Sequence, residues 1–151
     1  MARTLFQDGD RRELLDRVHR LQPGTSPRWG RMDAAQMLAH CQVPLRVALG
    51  EVKLSRGLIG VLFGGLAKKK LMGAEPFKPN LPTSAEFVVK DRRDFARERE
   101  QLVTLIERFA TGGPAGLTRD PHPFFGAMTT AEWEVLMWKH LDHHLRQFEP
   151  A

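Results

Sequence analysis

Two histidines one helical turn apart are the residues of this chain best suited to chemistry. His140 and His144 lie in the stretch Thr129 to Phe148, TTAEWEVLMWKHLDHHLRQF, which also holds His143 and so carries three of the six histidines. At about 100° per residue, the i, i+4 spacing puts both rings on one helix face, where two ligands of a single metal ion must sit. A third ligand has to come from elsewhere. Trp133, Met137, Leu141 and Phe148 share with the two histidines a sector of about 100°, the width of a core-facing stripe. The pair is therefore predicted to point inward, and buried imidazoles are costly unless their nitrogens have partners. A metal is one such partner; the alternative is two core histidines hydrogen-bonded to backbone or side chains. His143 falls at the edge of the stripe, a weaker ligand candidate and a better candidate for the rim or for support behind the ligands.

Local chemistry fixes the register of this helix. Thr129 with Glu132 three residues on is a capping-box pattern, and Met128 and Trp133 occupy the two positions of a hydrophobic staple. A second helix is predicted from Asp33, with Gln36 completing its capping box and Met32 and Met37 as its staple, running AAQMLAHCQVPLRVAL to Gly50. On it His40 shares an apolar side with Met37, Pro44 and Ala48, where a lone histidine reads first as a core residue. Pro44 removes the helical partner of the His40 carbonyl, so a bend is expected beneath that histidine, as at a specially shaped site. Cys41 points about 100° away from His40 and reads as small core packing.

The other elements follow from periodicity and breakers. Leu14, Leu15, Val18 and Leu21 recur at helical spacing between Asp10 and Leu21, with Asp10 and Glu13 as a capping-box pair and Pro23 and Gly24 as the stop; His19 reads as a surface residue. Gln22 to Arg31 is a loop. Leu54 to Gly73, LSRGLIGVLFGGLAKKKLMG, is too short in its apolar part for the ~20 residues that span a bilayer. It is expected to be a crossover with a short, irregular helix whose apolar side covers the bundle, in preference to a membrane-surface segment. Ala74 to Ser84 is an extended, proline-rich connection, and Glu86 to Lys90 has strand character without a partner strand. A long helix follows from Asp91 to Gly112 and Gly113, with DRRDFARERE as a solvated face. In the next connection His122 sits between Pro121 and Pro123. It is either a wall or mouth residue of the site or part of a surface loop whose Phe124 and Phe125 tuck into the bundle.

Composition narrows the class. The 151 residues suit one domain, with 42 % hydrophobic and 27 % charged residues as in an ordinary globular protein. The net charge of +5 comes without a basic stripe interleaved with aromatics, so no nucleic-acid partner is expected. A single cysteine excludes an intramolecular disulfide and fits a reducing compartment, and MARTLFQDGDRREL lacks the apolar run of a signal peptide, which points to the cytoplasm. Neither a phosphate-binding glycine loop nor GxSxG occurs.

Taken together, MLAH at residues 37–40 and HLDHHLRQ at residues 140–147 resemble the DinB/YfiT-like metalloenzyme superfamily. RWGRMDAAQMLAH, PFKPNLPT and HPFFGAMTTAEW are similar to one branch of it made of domains of unknown function, so the likeness covers most of the chain. The resemblance implies an all-α fold over residues 1–151, a four-helix bundle with a long crossover between helices 2 and 3. It also implies a metal site of His40, His140 and His144, with Gln147 or His143 orienting the ligands. Three neutral imidazoles with open positions suit zinc or nickel. The activities implied are a thiol-dependent S-transferase, with a low-molecular-weight thiol as cofactor, or a metal hydrolase, each acting on a small-molecule substrate. The rival expectation is a non-catalytic bundle with a structural metal or none, working through a protein partner or as a homodimer.

Overall fold

Capping chemistry starts the helices of His40 and of His140 where the sequence predicts. The computed structural model describes residues 2–81 and 85–150. In it α1 spans Asp8–Arg20, α2 Ala34–Ala48, α3 Leu58–Leu71, α4 Phe95–Gly112 and α5 Thr130–Phe148, with 3-10 turns at Ala85–Phe87 and Pro114–Gly116. The described residues hold five α-helices and no strand. Asp33 accepts from the Gln36 N–H while the Gln36 side chain accepts from the Asp33 N–H, and Thr129 and Glu132 close the same reciprocal pair on α5. Gly50 follows α2 at φ +76°, the left-handed conformation that ends a helix with least strain in glycine. The helical range of α2 runs unbroken through Pro44.

Helices α2 and α4 pack most extensively, α5 lies against α1 and α2, and α3 packs against α5. One apolar cluster joins Leu14 and Val18 of α1, Met37 and Leu38 of α2, Leu105 and Phe109 of α4, and Trp133 and Leu141 of α5. Each such side chain contributes about 1.5–3 kcal/mol on burial, which is what holds α2 against α5. Arg17 of α1 ties down the end of α5 through Asp142 at 2.8 Å and Glu149 at 2.6 Å. Cys41 is buried beside Met37, as core packing requires.

Several local expectations are corrected. Helix α1 starts at Asp8, two residues early, because the Asp10 carboxylate accepts from the Thr4 N–H and from Arg3 upstream and caps nothing. Helix α4 starts at Phe95, capped by Asp94, whose side chain accepts from the Arg97 N–H at 3.0 Å. Its charged run is not wholly solvated: Glu98 is buried, with its carboxylate accepting from Gln42 at 2.6 Å. Glu86 begins no strand, since Ala85–Phe87 is a 3-10 turn. Residues 74–81 form an irregular connection, while Pro82, Thr83 and Ser84 lie outside the described residues.

The crossover departs most from expectation. Helix α3 is a regular helix of 14 residues whose buried positions are Gly60, Gly64 and Leu71. Leu58, Ile59, Leu62, Phe63 and Leu66 are between 55 % and 73 % exposed, so the apolar side faces away from the bundle. The cause is the close approach of its glycines to the loop before α5. A Cβ on Gly64 would stand 2.2 Å from the Phe124 carbonyl oxygen and one on Gly60 2.8 Å from it, so only the face without side chains can seat there. The C-terminal end of α3 is held by Lys139, which donates to the carbonyls of Leu71, Gly73 and Glu75. No described helix is long and apolar enough to cross a membrane.

Candidate metal centre

The inward faces of α2 and α5 bring His40, His140 and His144 to one point. The Nε2 of His40 lies 3.1 Å from that of His140 and 3.0 Å from that of His144, and the three ligand atoms all fall within 4.8 Å of one another. Two imidazole nitrogens bound tetrahedrally to one zinc at about 2.0–2.1 Å stand about 3.3 Å apart. The two spacings from His40 are within a few tenths of an ångström of that and the third pair lies within 4.8 Å, so the three residues are positioned to bind a metal ion. His40 and His144 are buried and His140 is half-buried.

The outer ring nitrogens decide what the inner ones can do. The Nδ1 of His40 is 2.5 Å from the carbonyl oxygen of Phe87, which can only accept, so the proton of a neutral His40 sits on Nδ1. Gln147 donates through Nε2 to the Trp29 carbonyl at 2.7 Å, which turns its Oε1 toward His144. The Nδ1 of His144 donates to that oxygen at 2.8 Å. Both rings therefore present bare Nε2 lone pairs to each other, the tautomer in which histidine binds metals and the outer support that metal ligands usually have.

Protonation does not relieve the contact. Burial lowers the His144 pKa to about 3, with the neighbouring His40 adding to the effect and the Gln147 bond opposing it. Burial also lowers His40, against the opposing bond to Phe87. The protein packed round His140 lowers it as well, followed by repulsion from the charged forms of His144 and His40. The His40 and His144 lone pairs turned on each other at 3.0 Å, with the Nε2 of His140 3.1 Å from that of His40, leave a cation as the natural occupant of the point between them.

The other expected residues are placed differently from one another. Gln147 is buried against His144, as described. His143 is buried between the rings of Trp29, 5.3 Å away, and Phe77, 6.1 Å away, and lies edge-on to His144; its Nδ1 has no hydrogen-bond partner among the described residues. His122 is turned into its own loop. Its Nδ1 accepts the N–H groups of Phe124 and Phe125 at 2.9 and 3.1 Å, its backbone pairs with Gly126, and its ring packs on Phe125 and Trp133. It makes no hydrogen bond to the three converging histidines.

Two supports escaped the sequence, the carbonyls of Phe87 and Trp29. A backbone oxygen carries no side-chain signature, and these act across 47 and 118 residues. Only the stretch RWGRMDAAQMLAH, which contains Trp29, was singled out, as part of the family resemblance.

Searches of the curated proteins and of the solved structures return no match. The converging histidines, their supports and the helices that carry them all fall within residues 3–151, the span matched by the family model described as "Protein of unknown function (DUF1569)", and the chain belongs to that family.

Proposed function

We propose that this protein is a divalent-metal-dependent enzyme with a DinB-like four-helix core, in which His40, His140 and His144 hold zinc or nickel and a small molecule reacts beside it. The observation that carries this reading is the meeting of the His40 and His144 Nε2 lone pairs at 3.0 Å, their outer nitrogens committed elsewhere, with the Nε2 of His140 3.1 Å from that of His40. An all-imidazole set favours borderline ions such as zinc and nickel over magnesium or calcium, which prefer oxygen. When bound, such an ion supplies Lewis-acid activation of a water or a thiol near neutral pH.

The chain's own residues supply the rest. Phe87 and Gln147 hold two rings in the ligating tautomer, burial keeps the rings neutral, and His140 is the least covered residue of the three. A thiol for S-transfer has to come from outside, because Cys41 is buried and burial raises its pKa strongly. A low-molecular-weight thiol of the cytoplasm fits that need; hydrolysis is the other reaction of this reading.

Elemental analysis of the purified protein, with zinc and nickel titration of the metal-stripped form, tests the proposal. About one ion per chain is expected; a protein that takes up neither metal removes the reading. In His144→Ala, loss of metal with the helical dichroism retained supports an open, reactive site. Collapse of the fold points instead to a structural ion and the non-catalytic alternative. For the cobalt-loaded protein, a thiolate-to-metal charge-transfer band on adding a small thiol selects S-transfer, and its absence leaves hydrolysis.

A further inference from the structure

The charge of this protein is concentrated on one element. Between Val52 and Ala74 there are five basic residues, Lys53, Arg56, Lys68, Lys69 and Lys70, and no acid; the remaining chain carries eighteen basic and eighteen acidic residues. The formal excess of +5 thus arises in α3 and its approach, although Lys53 pairs with Asp120 at 3.4 Å and Lys68 with Glu132 at 3.5 Å. The same element carries the large exposed apolar side chains Leu58, Ile59, Val61, Leu62, Phe63 and Leu66. With Gly60 and Gly64 pressed against the Phe124 backbone, the helix cannot roll to bury them without driving side chains into that carbonyl. The apolar face is thus held outward by the packing beneath it.

We infer that α3 docks this protein onto an anionic membrane surface, lying in the interface with its leucines and Phe63 among the acyl chains and Lys69 and Lys70 at the headgroups. The helix, 14 residues long and too short to cross, presents a contiguous exposed apolar patch that ends in a lysine cluster, while its other face is glycine seated on the protein, so the patch is left for an outside surface to cover. Charge complementarity selects this occupant over a second copy of the chain. Two α3 faces brought together would join two elements that carry basic residues and offer no acid to either. Lys68 is engaged with Glu132 and the Ala127 carbonyl, whereas Lys69 and Lys70 are exposed and belong to the docking surface. This inference does not depend on the metal.

Vesicle flotation of the full chain provides the test, because lipid-free aggregates do not float. Phosphatidylcholine vesicles containing about a third phosphatidylserine should carry the protein upward and pure phosphatidylcholine vesicles should not, with release at high salt. Each basic residue near the surface contributes roughly five-fold to binding, so Lys69→Glu/Lys70→Glu should weaken it by at least roughly twenty-five-fold. Leu62→Asp/Leu66→Asp should abolish flotation while leaving the helical dichroism and melting temperature unchanged, since both side chains already face solvent. Failure to float with anionic vesicles, or equal flotation with neutral ones, overturns the inference. So does a dimer in lipid-free solution that Leu62→Asp/Leu66→Asp converts to monomer, because a second copy would then be the occupant.

Discussion

His40 and His144 meet through their Nε2 atoms at 3.0 Å while each uses its outer nitrogen as a donor, His40 to Phe87 and His144 to Gln147. Neutral imidazoles so arranged have lone pairs turned toward one another, an unfavourable contact that the packing of α2 on α5 maintains. Both helices have their start fixed by a capping box, and their packing on each other then brings the rings together.

Replacing Gln147 by leucine removes the acceptor that fixes the His144 tautomer and frees the Trp29 carbonyl. Zinc affinity, measured by competition with a chromophoric chelator, should fall about 10–100-fold with the helical dichroism at 25 °C kept. An affinity equal to that of the unaltered protein would show that Gln147 does not orient a ligand.

Gly64→Ala and Gly65→Ala form a matched pair on α3. The first puts a Cβ 2.2 Å from the Phe124 oxygen and should cost about 1–3 kcal/mol in urea unfolding, even after the gain in helix propensity. The second meets no atom within 4 Å and should stabilise by about 0.5–1 kcal/mol. Equal effects of the two would show that α3 does not rest on its glycine face.

His122 makes stability depend on pH. Burial, with a smaller contribution from Arg56, lowers its pKa from 6.5 to about 4. The unfolded chain then binds the proton that the folded chain refuses. Its contribution, about 3 kcal/mol, is fully present above about pH 6.5 and is lost as the pH falls toward 4. In metal-free protein, urea unfolding between pH 4 and 8 should show this acid slope on top of that from the other buried histidines. His122→Phe should reduce the slope by up to about one proton; an unchanged slope would rule out His122 as its source.

Gln42 and Glu98 stabilise α2 against α4 by a buried polar pair. Gln42→Leu leaves the Glu98 carboxylate with Arg93 at 3.4 Å as its remaining partner and should cost about 1–3 kcal/mol. The double variant Gln42→Leu/Glu98→Leu should recover much of that loss, because no buried carboxylate is left. Thermal unfolding of the single and double variants measures the coupling.

What was readable in the sequence was what is local. His140 and His144 share a face because the spacing of four is a helix turn, and Thr129 and Asp33 start their helices through partners three residues away. His40 alone read as a core histidine, and its meeting with the other two came only through the family likeness. Phe87 and Trp29 act through backbone oxygens, and Glu98 is buried by a glutamine 56 residues away; neither relation has a periodic trace. The orientation of α3 was misread because hydrophobicity was taken to mark the packed side. Here the glycines mark it, and their reason is the Phe124 carbonyl on a distant loop.

His40 and His140 are separated by 100 positions, and everything from α3 to the end of α4 lies between them. Any ion gripping both would act as a clasp on a very long loop. The entropy of closing such a loop grows only as the logarithm of its length and has already been lost once the helices are docked. The ion would thus be recruited after assembly rather than seeding it, and heat resistance would climb with the concentration of free ion in solution.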